Sequence, residues 1–262
     1  EPKYFYYYLQ TLHLEKMNQA GGVPSLTQRA LNELHIPTPP ILIQREIARA
    51  LDQFSQLKAE LETELEARQQ QYAHYRNILV APRSPKESVK LGEVSYIARG
   101  ASPRPIRKFI TNEEGMPWIK IGDVPPQGKY VTTTAQHIST DGVDKSRQIK
   151  PGDFILSNSM SFGRPYISKI NGCIHDGWLV IANYEKTFDP DFLYHVLRSS
   201  PIQNGFAQRA GSGTVKNLNS KIVSDTLVPA PPIDQQREIV HLLDKFDLLV
   251  NDLTSGLPAE IE

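Results

Sequence analysis

One stretch of this chain occurs twice and constrains the fold more than any other feature. Residues 36–61 read IPTPPILIQREIARALDQFSQLKAEL, and residues 228–253 read VPAPPIDQQREIVHLLDKFDLLVNDL. A Pro-Pro pair, a Gln-Arg-Glu triplet and an Asp-x-Phe pair recur without a gap at one offset, which is 192 residues from Pro39 to Pro231. Repeats of about 20–50 residues indicate a solenoid, whereas so long a period indicates a duplicated domain with its helix.

The duplication extends upstream of the prolines. Residues 2–9 resemble residues 190–197, and residues 21–26 resemble the stretch 211–218. Residues 1–35 are therefore interpreted as the end of a domain whose other copy ends near residue 226. Because the first copy lacks its beginning and the first residue is not Met, we expect a fragment of a longer chain.

A long helix is predicted after Pro40. Apolar and long side chains step by four and three residues without a break, which is the seam of a coiled coil, and Pro82 and Pro85 end the pattern. A seam of this length needs a partner helix, and the second copy continues the same spacing. The predicted seam residues are Ile47, Leu51, Phe54, Leu61, Leu65, Tyr72, Tyr75, Leu79, Ile239, Leu243, Phe246, Val250 and Leu253.

The segment between the two helices reads as a mixed α+β domain. Short apolar runs bounded by Gly, Pro, Asn or Asp predict strands, for example at 154–156 and 178–182, and residues 192–197 and 202–208 predict short helices. About 140 residues suffice for one core.

Composition narrows the class of protein only a little. Acidic and basic residues balance at 29 each, and there is one cysteine, Cys173, which excludes an internal disulfide and fits a reducing, cytoplasmic compartment. No apolar run approaches the length of a membrane span. Residues 88–226, however, hold 17 basic and 12 acidic side chains, so the basic charge lies in the mixed domain.

Three loops of that domain are candidates for contact with DNA. The stretch RGASPRPIRK is basic, SNSMSFGR combines hydroxyls with an amide and an arginine, and GSGTVKN is glycine-rich with a lysine. Such groups neutralise phosphates or bind base edges. The plainer alternatives, a solvated charge run and ordinary turn chemistry, remain open. The candidates are Arg99, Arg104, Arg107, Lys108, Lys120, Ser157, Asn158, Ser159, Ser161, Arg164, Lys216 and Asn217.

A search of the sequence for catalytic groups finds no active site. The histidines do not pair with Cys, Asp or Glu at metal-ligand spacing, and the glycine-rich loop lacks the ending of a P-loop. The best cluster is Cys173 with His175 and Asp176, for which a buried thiol and a hydrogen-bonded imidazole are the favoured interpretation. We therefore expect no catalytic residues and no metal site.

The doubled proline-helix element, each copy following a mixed domain, resembles the specificity subunits of type I restriction–modification systems. The stretches 118–124, 151–157 and 66–76 are similar to that family as well. The resemblance covers nearly the whole chain, and its most specific part is the doubled element. It implies a target-recognition domain and long helices that form an antiparallel coiled coil.

The resemblance also implies a division of the chain and a function. Residues 1–35 would be the remnant of a first recognition domain, 36–82 a central spacer helix, 83–226 a second recognition domain and 227–262 an incomplete second helix. The chain would read one half of a bipartite double-stranded DNA target without catalysis of its own and without a cofactor. Two methylation subunits, carrying S-adenosylmethionine, and restriction subunits would join it. The helix seam would also allow two copies of the chain to associate through the helices.

Two alternatives remain at this stage. Instead of a specificity subunit, the chain would be the recognition portion of a fused restriction–methylation enzyme with catalytic domains elsewhere, or a coiled-coil spacer that binds no DNA. A cofactor motif in a longer parent sequence would favour the first. A slope near zero in a titration of DNA binding against salt would exclude DNA recognition and favour the second.

Overall fold

The computed structural model describes residues 1–14, 25–111, 114–124, 128–159, 162–211 and 217–251. These residues belong to two compact units, Glu1–Ala67 and Arg68–Pro258. The division falls inside the predicted spacer segment, and the four predicted segments of the chain stay a prediction. The helix seam residue Leu253 lies outside the described residues.

The sequence predicted four of the helices that the described residues form. In chain order, α1 to α9 are Pro2–Thr11, Gln28–Asn32, Ile41–Leu79, Leu91–Val94, Thr140–Val143, Pro190–Arg198, Ser200–Arg209, Ser220–Ser224 and Ile233–Asn251. The long helix predicted after Pro40 is confirmed as α3, and α6 and α7 confirm the two predicted short helices. Pro190 opens α6, where a proline costs no hydrogen bond, and the Asp189 carboxylate caps it by accepting from two main-chain amides.

The strands lie between α3 and α9 in the chain. In order, β1 to β12 are Ser88–Lys90, Tyr96–Arg99, Ile110–Thr111, Met116–Ile119, Tyr130–Val131, His137–Ile138, Arg147–Ile149, Phe154–Ser157, Pro165–Ser168, Gly172–Ile174, Trp178–Ala182 and Leu227–Pro229. One sheet has the order β3-β6-β4-β10-β7, a second has the order β2-β11-β8-β9-β5, and β1 pairs with β12. The α+β class expected from the sequence is confirmed.

The main core lies between the two five-stranded sheets. Ile119 and Ile174 from the first sheet pack with Ile155, Tyr166 and Trp178 from the second. Every residue of β11 is buried, which explains its continuous apolar run, WLVIA, because a strand covered on both faces does not alternate. The opposite face of the second sheet is covered by α6, whose residues 192–197 are all buried.

In the second unit, a buried glutamine ties α9 to the segment that leads into α6. Gln236 is fully buried, and its Oε1 accepts a hydrogen bond of 2.9 Å from the main-chain amide of Asp189. Its Nε2 donates to the carbonyl oxygens of Thr187 and Pro231 at 2.9 and 2.7 Å. One side chain therefore joins three separate points of the backbone.

The first unit repeats this contact in its own copy of the element. Gln44 Oε1 accepts a hydrogen bond of 2.9 Å from the main-chain nitrogen of Glu1, and its Nε2 donates to the Pro39 carbonyl at 2.8 Å. Two turns further along α3, Asp52 accepts from the Tyr7 hydroxyl at 2.8 Å. The duplicated sequence therefore encodes a duplicated way of docking a short helix on a longer one.

The equivalent aspartate of the second unit bonds to a buried histidine. His195 is 1% exposed, and its Nε2 lies 3.2 Å from Asp244 Oδ1. Its Nδ1 lies 3.4 Å from the hydroxyl of Tyr72, which belongs to the C-terminal part of α3. Burial lowers the pKa of His195 in spite of the nearby Asp244 carboxylate, so the neutral imidazole links α6 to both α3 and α9.

The predicted helix seam is packed in some places and exposed in others. Tyr75 and Phe246 stack with ring centroids 5.5 Å apart, and Tyr72 and Leu243 are buried, all within the second unit. In the first unit Phe54 remains 69% exposed. Pairing of the seam residues along the whole of α3 therefore stays a prediction.

The burial of His195 predicts a pH dependence of stability. The pKa of the imidazole is about 6.5 in the unfolded chain, and it is lower in the folded protein. The unfolded state therefore binds more protons, and the free energy of unfolding should fall as the pH drops below about 6.5. Urea denaturation at about pH 7.5 and 5.5 measures the loss. His195→Asn should reduce it, whereas His241→Asn on the exposed side of α9 should leave it unchanged; an equal loss in both variants would contradict the assignment.

Candidate nucleic-acid interface

Separate segments of the second unit converge on Asp176. Its carboxylate accepts a hydrogen bond of 2.8 Å from the Ser102 hydroxyl, and its carbonyl accepts bonds of 2.9 Å from Arg99 Nε and from Asn158 Nδ2. The main-chain carbonyl of Asn158 in turn accepts from the amide of Leu218 at 2.8 Å. The loops that begin at residues 99, 158 and 175 and the segment that begins at residue 217 thus form one surface, the Asp176 loop cluster.

Strand pairing places these loops together. Strand β11 pairs antiparallel with both β2 and β8, with Arg99 opposite Leu179 and Ser157 opposite Trp178. The C-terminal ends of β2 and β8 therefore lie beside the N-terminal end of β11, at the same end of the three strands. Gly100 makes the tight exit from β2 possible, because a Cβ atom there would lie 2.0 Å from the carbonyl oxygen of His175.

The carboxylate of Asp176 is ionised and holds an exposed arginine. The Ser102 hydrogen bond is the main reason that the pKa of Asp176 lies below its usual value. Arg104 Nη2 lies 3.8 Å from Asp176 Oδ2, and the Arg104 side chain is 85% exposed. A contact this long between partly exposed groups is weak, so Arg104 is free to exchange the carboxylate for a phosphate.

A depression of about 380 Å³ opens beside this loop cluster. Its floor is the indole of Trp118, and its rim carries donors and acceptors from several segments: Ser102, Arg104, Lys120, Gln136, His175 and Asp176. Burial lowers the pKa of His175, whose Nδ1 lies 2.6 Å from the main-chain nitrogen of Gly177. The imidazole therefore positions the loop in its neutral form.

Six of the residues predicted from sequence are exposed at or near this surface. They occupy residues 99–108, here called the basic loop, with its 3-10 turn Ile106–Lys108, the loop after β8 and the segment before α8: Arg99, Arg104, Arg107, Lys108, Ser159 and Asn217. Lys120 and Arg164 are partly buried. Ser161 and Lys216 lie outside the described residues. DNA contact by these side chains stays a prediction.

Two of the predicted contacts need correction, because they are buried. Ser157 is inaccessible to solvent, and its hydroxyl accepts from the Arg164 amide at 3.2 Å. Asn158 is 3% exposed, and its amide nitrogen is bonded to the Asp176 carbonyl. Sequence reasoning treated residues 157–164 as one exposed loop, whereas Ser157 is the last residue of β8 and Asn158 is packed beside it. They shape the loops and are not placed to touch DNA.

Sequence reasoning missed Gln136 and the organising role of Asp176. Gln136 stands alone between strands, and Asp176 meets Ser102 across 74 residues of chain. Neither has a local motif, so only the pairing of distant strands brings them together.

The thiol considered for catalysis is a core residue. Cys173 is inaccessible to solvent, and burial raises its pKa to about 11. The thiol is therefore protonated at neutral pH and is not an activated nucleophile. Among the described residues no group of three or more His, Cys, Asp or Glu side chains is arranged to hold a metal ion. None of the helices in the described part of the chain is long and apolar enough to cross a membrane.

Comparison with known proteins defines the class. The family model of the type I restriction modification DNA specificity domain matches residues 1–68 and 83–262, and the chain belongs to this family. It is 30% identical to the EcoR124I/EcoR124II specificity subunit of Escherichia coli, covering 99% of this chain and 67% of that protein. It is 29% identical to a putative type I specificity subunit of Haemophilus influenzae, covering 68% of that protein.

Solved structures show the same fold. A chain from a type I R-M system aligns with a TM-score of 0.74 at 19% identity, and the HsdS subunit from Thermoanaerobacter tengcongensis aligns with a TM-score of 0.60. Both alignments cover all of this chain and 67% of the other.

Proposed function

We propose that this chain is the DNA sequence-recognition subunit of a type I restriction–modification complex and that its Asp176 loop cluster reads one half of a bipartite target. One observation carries the assignment to this surface. Loops distant in sequence meet there, and one of them, residues 99–108, presents the exposed cations Arg99, Arg104, Arg107 and Lys108. A convergent basic surface on a rigid sheet is suited to holding a DNA backbone while neighbouring groups reach base edges.

The chemistry of the loop cluster supports two kinds of contact. Arginine side chains form bidentate bonds to phosphate or to guanine, and an amide such as Gln136 at the rim of the depression matches the donor–acceptor pair of adenine. Arg104 and Arg107 are assigned to phosphates, because both are long, flexible side chains exposed on the same loop. Gln136 and Lys120 are assigned to bases.

The role of the chain in the complex is recognition without chemistry. The methylation subunits would bind S-adenosylmethionine and the restriction subunits would cleave, so this chain needs neither cofactor nor metal. The helices α3 and α9 would separate the half-sites and support the methylation subunits. Family membership and the protonated, buried state of Cys173 support this division of labour.

Charge removal in the basic loop tests the proposal. Arg104→Ala/Arg107→Ala should weaken binding to duplex DNA and reduce the slope of log K against log salt by about 2, because each lost phosphate contact contributes about 0.9. Binding of the full chain is measured by fluorescence anisotropy over a range of salt concentrations.

The matched control removes two exposed arginines outside the loop cluster. Arg29 and Arg237 each form a contact with an acidic neighbour on their own helix, with side chains 89% and 67% exposed. Arg29→Ala/Arg237→Ala should leave the slope unchanged. Equal slopes for the loop variant and the unmodified protein would refute the assignment of this loop to DNA.

A further inference from the structure

Three arginines of the second unit lie over tyrosine rings and have no ion-pair partner among the described residues. Each guanidinium carbon lies 5.2–5.5 Å from the centre of a tyrosine ring, in the pairs Arg76–Tyr72, Arg164–Tyr166 and Arg198–Tyr194. Among the described residues, no carboxylate oxygen lies within 4.0 Å of any of the three guanidinium groups. Cation–π contacts offset only part of the cost of removing an arginine from water.

Hydrogen bonds place the three arginines together. The Tyr72 hydroxyl contacts His195 Nδ1 at 3.4 Å, which brings the Arg76 turn of α3 against the C-terminal half of α6, where Arg198 lies. Gln203 Nε2 donates both to the Gly163 carbonyl at 2.8 Å and to the Leu197 carbonyl at 2.6 Å. That bridge joins the residue before Arg164 to the residue before Arg198.

The group has buried donors without acceptors. Arg76 is only 7% exposed and its Nε has no hydrogen-bond partner, and Arg164 Nη2 is likewise buried and unpartnered. Burial and the neighbouring Arg198 guanidinium both lower the pKa of Arg76. Two carboxylates of α9 lie beside this group, Asp244 bonded to His195 and Asp247 at the Tyr72 hydroxyl, but neither forms an ion pair within 4.0 Å with one of the three guanidinium groups. A native structure leaves few such groups unpaired, which points to a missing anionic partner.

We propose that Arg76, Arg164 and Arg198 form an anion site for a phosphate group of the DNA backbone. Guanidinium groups match phosphate oxygens in bidentate geometry, and a phosphodiester supplies the negative charge that the three arginines lack. Arg164 connects the site to the proposed DNA surface, because its amide bonds to Ser157 at the edge of the Asp176 loop cluster. The identity of the phosphate as DNA rests on the proposed function, whereas the anion site does not.

Inorganic phosphate tests the anion site without DNA. Phosphate should raise the melting temperature of the full chain above that in chloride at equal ionic strength, because a ligand of the folded state stabilises it. Arg198→Gln should abolish that increment, since it removes the charge of the partly exposed member of the group. Arg237→Gln should keep it, and Arg198→Lys should keep part of it, because charge remains while the bidentate fork is lost.

Two results would overturn the anion site. One is the absence of a phosphate increment in the unmodified protein, and the other is an equal increment in the protein and in Arg198→Gln. If Arg198→Gln does not fold, Arg164→Gln provides the same comparison, because Arg164, like Arg198, is only partly buried.

Duplex DNA then tests the source of the phosphate. Arg198→Gln should reduce the salt slope of DNA binding by about 1 and weaken all sequences alike, as expected for a backbone contact. If Arg198→Gln loses the rise in melting temperature with phosphate but keeps the salt slope of DNA binding, the assignment to DNA is overturned. That result would instead favour an acidic group of a partner subunit. If the full chain binds no DNA but keeps the Arg198-dependent increment, the proposed function fails while the anion site stands.

Discussion

Gly100→Ala should abolish DNA binding and lower the free energy of unfolding by about 3 kcal/mol or more, which is at the upper end for overpacking. The added Cβ would lie 2.0 Å from the carbonyl oxygen of His175 and 2.8 Å from its carbonyl carbon, and neither main-chain atom belongs to a flexible side chain. The Gly100 amide also donates to the Trp178 carbonyl at 2.8 Å. Strand β2 and the start of β11 therefore have to separate, and the basic loop moves away from Asp176.

Gly122→Ala is the matched control for this substitution. Gly122 lies in the 3-10 turn Ile121–Asp123, and a Cβ atom there would meet nothing within 4 Å. The control should bind DNA normally and change the stability by only a few tenths of a kcal/mol. Chemical denaturation and DNA binding of the two variants are compared side by side, and a Gly100→Ala protein as stable as the control would contradict the close approach at this turn.

Gln236→Ala should lower the free energy of unfolding by about 3 kcal/mol or more. The side chain is fully buried, and its removal leaves the Asp189 amide and the carbonyls of Thr187 and Pro231 without their partner. Each unsatisfied buried group costs about 1–3 kcal/mol, and the vacated space adds a cavity cost. The contact between α9 and the segment that leads into α6 should therefore loosen first.

The first copy supplies the control for this prediction. Gln44→Ala removes the equivalent side chain, but Gln44 is only partly buried and makes two of these bonds. Water can replace the lost partners there, so the expected loss is about 1 kcal/mol. Urea denaturation, with hydrogen exchange at the amide of Asp189, measures both variants. Equal losses for the two glutamines would show that burial does not set the cost.

The helices α3, α6, α7 and α9 were predictable from the sequence because their signals are local. The four-and-three spacing of α3, the prolines beyond its end and the proline that opens α6 act within a few residues of chain. The short apolar run of β11 was predictable as a strand for the same reason. The pairing partners of that strand were not, because β2 and β8 are distant in sequence and carry no register signal.

The candidate site was predictable in charge but not in arrangement. The basic loop follows from composition, and its arginines are exposed as expected. The neighbouring polar run was misjudged at Ser157 and Asn158, since burial depends on the strand that covers them. Gln136 and the convergence on Asp176 were invisible for the same reason, because they arise from segments far apart in the chain.

The sequence by itself determined the duplication, the long helix and the class of protein. The duplication rests on a repeat without gaps at one offset, the helix on a periodicity of three to four residues, and the class on the resemblance of the doubled element to a known family. Only the tertiary structure decided that the repeated glutamine and aspartate dock a short helix in both copies. It also decided which loops meet and brought Arg76, Arg164 and Arg198 together without an ion-pair partner. The physical reason is that strand pairing and burial join residues whose separation in sequence carries no record of their distance in space.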